Sequence, residues 1–211
     1  MPGASVSLSE QEVHWRDSLN GPLARGLSGV RLIVSDARAG LAAARRAVLG
    51  SVCWQRCQFH LQQNALSLVM RQEQKAPLAA SLRAVFNAGK ARKVETLLAK
   101  LANEQRKNNP KLADWLGKDA PESLTIFFLP EPHRRLLRTT NGLKRIDQEI
   151  KRRTRVARLL PNKAYCLRLV TAVLIRLTKR ADSAMIGAIK ANGGFYASAG
   201  QTDKQFCGRE K

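Results

Sequence analysis

Acidic residues are scarce in this chain. Its 211 residues carry 16 Asp and Glu against 37 Lys and Arg, a formal net charge of +21. Such an excess points to a polyanionic partner, most often nucleic acid. Long apolar runs are also missing. The longest, 167–177, is broken by Arg168 and Arg176, which excludes a bilayer-spanning helix. No long lysine-rich amphipathic face favours a membrane surface either, and no signal-peptide pattern opens the chain. Cysteine is limited to Cys53, Cys57, Cys166 and Cys207. Their scatter fits reduced thiols in a cytoplasm and not a disulfide framework. Aromatics are few, at 5%, but 44% of the residues are hydrophobic, enough to bury a core.

What is present is organised around residues 29–60. Val30, Leu32, Ile33 and Val34 form a short apolar run after Gly26 and Gly29, the pattern of a strand. It ends on Ser35 and Asp36 and gives way to a helical pattern from Leu41 to Leu49. A carboxylate at the C-terminal end of a buried strand is well placed for chemistry. An Asp before a helix is equally a cap, and the residues alone leave both readings open. Upstream, Ser9 and Glu12 form a capping-box signature for a helix running to about Arg25, with Val13, Leu19 and Leu23 on its apolar face. Residues 52–59 follow as a second short strand. Cys57 and His60 have the C-x-x-H spacing of metal ligands, but a zinc site takes four ligands and no second pair lies nearby.

From Gln62 to about Leu116 the pattern is helical. Leu78, Leu82, Val85 and Phe86 share one face, and Val94, Leu97, Leu98 and Leu101 another. Breaks are expected at Pro77, Gly89, Pro110 and Gly117. The charges from Lys90 to Lys107 suit a solvated face. Thr125 to Leu129 is β-prone and bounded by Pro121 and Pro130. His133 carries no catalytic assignment. After Asn141 comes a helix with Leu143, Ile146 and Ile150 on one side. Its other faces hold Lys144, Arg145, Lys151, Arg152, Arg153, Arg155 and Arg158. Cations at this density repel one another at i, i+4 spacing, an arrangement best accommodated beside phosphates. A closing helix is expected over 163–177.

Three motifs in order, the strand ending in Ser35-Asp36, the WQRCQFH segment (Trp54 to His60), and LRTTNGLKRIDQEIKRRTRVARLLPN (Leu137 to Asn162), resemble the Mutator-type transposases of bacterial insertion sequences. The resemblance covers roughly residues 3–177 and is specific because the motifs occur together. It implies an α/β, predominantly helical fold, a partial ribonuclease H-like sheet with a helical insertion. The implied division is 1–61 for the N-terminal part of the catalytic core, 62–120 for the insertion, 121–180 for the C-terminal part of the core, and 181–211 for a divergent, poorly ordered tail. The family's first strands would lie upstream of Met1, which leaves the strand at Val30 with an open edge and favours self-association.

Such transposases cut and join DNA with Mg²⁺ ions held by Asp, Asp and Glu. Carried over, the second Asp is Asp36, as catalytic residue and metal ligand. The first Asp has no counterpart here. The Glu position is Lys144. Asp147, about 60° around the helix and roughly 4.5 Å further along, is the nearest surrogate, whereas Glu149 is about 140° away. Arg145, Lys151, Arg152, Arg153 and Arg155 are the DNA-contacting set, and Cys57 and His60 the motif beside the active site. The resemblance thus implies a cytoplasmic, nucleoid-associated transposase-family protein that binds double-stranded DNA at insertion-sequence ends. Catalysis would be lost in a truncated or degenerate copy. The alternative is a non-catalytic basic nucleic-acid binder that competes with an intact transposase.

Overall fold

The computed structural model describes Ser7, residues 9–156 and residues 162–176. The expected tail from 181 onward lies outside the described residues. Eight helices and two strands come first in order: α1 (Glu12–Ala24), β1 (Leu32–Ser35), α2 (Ala39–Leu49), β2 (Cys53–Arg56), α3 (Gln58–Ser67), α4 (Gln72–Asn87), α5 (Ala91–Gln105), α6 (Pro110–Asp119), α7 (Glu131–Leu137) and α8 (Asn141–Val156). Two short 3-10 turns, Ala120–Ser123 and Thr125–Phe128, separate α6 from α7. A further helix, α9, covers residues 163–176. The architecture is therefore mostly helical with a small sheet. Among the described residues no helix is long and apolar enough to cross a membrane.

The chain divides into two compact units. The first contains α1, α2, α8 and α9. In it α1 packs along α2. Gly40 makes that approach possible, because a Cβ there would overlap the Glu10 carbonyl and crowd the Glu12 nitrogen at 3.1 Å. Arg38 pairs with Glu10 across the same junction. The expected capping box does not form. Helix α1 starts after Gln11 with no side-chain cap, and Glu12 turns to Arg16 at 2.6 Å instead. With the N-cap at Gln11, two residues past Ser9, the reciprocal ring cannot close. Val13 is 55% exposed, so it falls off the apolar face assigned to it. Gly26, at φ +90°, closes the helix in a left-handed turn that glycine takes cheaply.

The second unit contains both strands, α3 to α7 and the two 3-10 turns. Strands β1 and β2 are parallel, with Leu32 opposite Cys53 and Ser35 opposite Arg56. Helices α3 to α6 pack in sequence against one another, around fully buried Leu61, Leu82, Leu112 and Leu116. The apolar faces expected on α4 and α5 are buried at Leu78, Leu82, Val85 and Phe86, then at Val94, Leu98 and Leu101, while Leu97, expected on the same face, is only half-buried. Two expected breaks are absent. Pro77 lies inside α4 and Gly117 inside α6, where packing of the buried faces outweighs the local propensity. Residues 125–128 form a 3-10 turn and not a strand. The backbone N–H of Ile126 donates to Oε1 of Gln55, and the Thr125 hydroxyl donates to the Trp54 carbonyl. The segment thus meets β2 through side chains and joins no ladder.

Candidate functional site

Asp36 follows β1 directly and is half-buried. Its Oδ1 accepts a hydrogen bond from the Ala37 N–H at 2.8 Å. The N-cap of α2 is Arg38, with no side-chain cap, so the helix-cap reading of Asp36 is not what the structure shows. The strand end beside it is fixed. Ser35 Oγ donates to the Asp36 carbonyl and receives the Trp54 indole N–H, both at 2.9 Å. The Cys57 N–H extends the strand pairing to the Ser35 carbonyl at 2.8 Å.

The WQRCQFH segment is a set of buried locks. Gln55, fully buried, donates through Nε2 to the Ser123 carbonyl at 2.7 Å. Gln58 donates to the same carbonyl at 3.1 Å. Arg56, 4% exposed, meets Asp119 at 2.8 Å and Glu122 at 3.0 Å, with its guanidinium carbon 5.4 Å from the Trp115 ring centroid. Cys57 is fully buried, and its sulfur accepts the Thr140 N–H at 3.3 Å. His60 stacks edge-on with Phe59, and its Nδ1 is buried without a hydrogen-bond partner among the described residues. Sequence reasoning singled out Cys57 and His60 but missed Gln55 and Arg56. The available signal was a strand too polar to be buried unless each polar group had a partner.

Helix α8 belongs to the first unit, whereas Asp36 belongs to the second. Lys144 is exposed. Asp147 pairs with Lys151 at 2.7 Å. Glu149 receives Arg152 at 2.8 Å and Arg153 at 3.0 Å, which holds its carboxyl down at about 2, well below the ordinary range. Arg155 is exposed; the side chain of Arg145 lies outside the described residues. Three of the cations expected to meet phosphates are thus matched to carboxylates of their own helix.

A pair of Mg²⁺ ions needs several hard oxygen ligands converging. Among the described residues no three of His, Cys, Asp and Glu are grouped so as to hold a metal ion. Position 144 offers an ammonium, and Asp147 is already committed to Lys151. Among the described residues, those at the motif positions do not fit the metal pair that the motif pattern implies.

Comparison with known proteins accounts for the motif order. The model of the family described as "Transposase, Mutator family" matches residues 2–182. The chain is 53% identical over 190 residues to the transposase for insertion sequence element IS406 of Burkholderia multivorans, covering 90% of this chain and 48% of that protein. It is 37% identical over 173 residues to the transposase for ISRM5 of Rhizobium meliloti, covering 81% of this chain and 43% of the relative. A third relative, the transposase for IS1081 of Mycobacterium tuberculosis, is 30% identical over 172 residues, 82% of this chain and 41% of its own length. The chain spans about half the length of these relatives. It belongs to the Mutator family of transposases.

Proposed function

We propose that this chain serves transposition of an insertion sequence, as a catalytic-region segment of a DDE-type transposase with a ribonuclease H-like core. The observation that carries the reading is the position of Asp36. It follows the C-terminal end of a strand in a parallel pair, on a strand end fixed by Ser35 and Trp54, with its Oδ1 accepting the Ala37 N–H. In this reading β1 and β2 are neighbouring core strands, Asp36 is the second carboxylate, residues 62–120 are the helical insertion, and 121–180 return to the core. The partner is duplex DNA at insertion-sequence ends, drawn by the net charge of +21.

Because Lys144 stands where the family pattern places Glu, no cleavage step is assigned to this chain. Its own residues bind DNA and position it. The same substitution favours a second reading, a non-catalytic binder that occupies the ends used by an intact transposase. The experiment is duplex binding across a salt series, with a Mg²⁺- or Mn²⁺-dependent nicking assay on the same duplex. Affinity should fall steeply as salt rises, through weakened counterion release, and no nick should appear. Affinity flat with salt would sink the DNA-binding reading; metal-dependent nicking would restore catalysis to the chain.

A further inference from the structure

Three arginines of the second unit line one cavity, and among the described residues none of them meets a carboxylate. The cavity, about 210 Å³, is bounded by the turn after α4, the second 3-10 turn and α7. Its apolar wall is Phe86, Ile126 and Phe127, each less than a tenth exposed. Arg134, Arg135 and Arg138 line it with Glu131 as its one acid.

Arg134 and Arg138 are held by neutral acceptors. Arg134 donates from Nε to the Leu129 carbonyl at 2.8 Å and from Nη1 to the Gly89 carbonyl at 2.6 Å. Its guanidinium carbon lies 5.6 Å from the Phe127 ring centroid. Arg138 donates to Oδ1 of Asn87 at 2.9 Å. Arg135 has no polar partner among the described residues. A guanidinium carries five N–H donors. Carbonyl and amide oxygens occupy a few of them and cancel none of the charge. Helix α8 is the contrast, since Lys151, Arg152 and Arg153 are there matched to Asp147 and Glu149. Among the described residues the cavity arginines are matched to no carboxylate, and Arg134 and Arg138 are oriented by their acceptors.

We infer that this cavity binds a backbone phosphate of a nucleic-acid strand, with Arg134, Arg135 and Arg138 donating to its oxygens and the apolar wall taking the adjoining sugar. Guanidinium forks match phosphate geometry and form strong charge-assisted hydrogen bonds with it. Several forks around one space suit an anion with several oxygens better than a single planar carboxylate. The volume falls below the ~300–1,000 Å³ that encloses a drug-sized ligand. It therefore suits one phosphate of a polymer that continues outside, and not an enclosed free nucleotide. The inference rests on the DNA-binding reading and assigns it a site.

Arg135→Gln and Arg138→Gln test it, with Lys118→Gln on α6 as an exposed control outside the cavity. Arg134 is left intact because it ties two backbone segments together. A labelled duplex is titrated across a salt series. In parallel, the arginine Nε–Hε NMR signals are followed with the thymidine dinucleotide TpT, its neutral methylphosphonate analogue and inorganic phosphate. Each arginine variant should lower the slope of log affinity against log salt by about one, with the control unchanged. TpT should move the Arg134, Arg135 and Arg138 signals while the methylphosphonate does not. Unchanged slopes in both arginine variants, with the parent binding duplex normally, overturn the site and leave the DNA reading standing. A parent that ignores duplex while TpT moves the three signals does the reverse. Inorganic phosphate moving them as well as TpT does would overturn the strand assignment in favour of a free-phosphate site.

Discussion

The buried sulfur of Cys57 accepts the backbone N–H of Thr140 at 3.3 Å and lies 3.4 Å from the hydroxyl of the same threonine. Beside it the Gln58 N–H donates to the Arg138 carbonyl at 3.0 Å. Two motifs more than eighty residues apart in sequence thus meet at the start of α3. The cysteine of the C-x-x-H spacing is spent on this junction, which sets the residue immediately before α8.

Chelation should therefore leave the thermal midpoint of the protein unchanged, because the Cys57 sulfur is engaged with Thr140. Cys57→Ala should destabilise by about 1–3 kcal/mol, through a small cavity and a buried N–H left without its acceptor. Cys57→Ser, whose oxygen can accept, should cost less. A midpoint that drops on adding chelator would replace this account with a metal site.

Arg56 invites a comparison between its two sides. Its side chain is 4% exposed, while those of Asp119 and Glu122 are 27% and 41% exposed. Removing both acids, by Asp119→Asn with Glu122→Gln, strands a buried cation and should cost about 3–5 kcal/mol. Arg56→Met leaves two carboxylates that can hydrate and should cost clearly less. Urea denaturation of the two variants gives the ranking, and the opposite order would show that the arginine is held by packing on Trp115.

These partners explain what could and could not be read from sequence. The faces of α4 and α5 were legible because the 3.6 period of Leu78, Leu82, Val85, Val94, Leu98 and Leu101 is a local signal. So was β1, an apolar run closed by Ser35. Residues 125–128 misled because their β-prone composition is local, whereas the groups that fix them, Gln55 and Trp54, lie 71 residues away. The cavity arginines were illegible for the same reason. In sequence they are a charged stretch; only the Gly89 carbonyl and the Asn87 side chain, supplied by another helix's end, make them a cluster. Position 144 was legible only through the motif pattern, since a lysine on an exposed helix carries no signal of its own.

Glu149 provides a pH test of α8. Its ordinary value of 4.5 is lowered to about 2, chiefly by hydrogen bonds from Arg152 and then Arg153. A depressed carboxyl stabilises the helix above the unfolded value and loses that contribution as pH falls from about 4.5 through about 2. The pairs are at the surface, so added salt should screen them. Carboxyl NMR should give a midpoint near 2 that climbs toward the ordinary value in high salt, with the Arg152 Nε signal titrating in step. A Glu149 carboxyl that titrates at its ordinary value in low salt would show that the α8 pairs do not persist in solution.

Lys144 gives the sharpest test of the transposase reading. In that reading position 144 supplies a ligand to the ion that Asp36 also holds. An ammonium there repels a divalent cation. At about 4 Å and an effective dielectric near 20, two unit charges already interact by ~4 kcal/mol, and a divalent ion doubles that. Lys144→Gln removes the repulsion but adds only a neutral oxygen, while Lys144→Glu removes it and adds an anionic ligand. Mn²⁺ binding, followed by water-proton relaxation, should therefore rise in the order parent, Lys144→Gln, Lys144→Glu. Asp36→Asn placed on Lys144→Glu should cancel most of the gain, because the two carboxylates then no longer share an ion. A gain from Lys144→Glu that survives Asp36→Asn would mean that the new carboxylate recruits metal elsewhere on α8, and the assignment of Asp36 and position 144 to one site would fail.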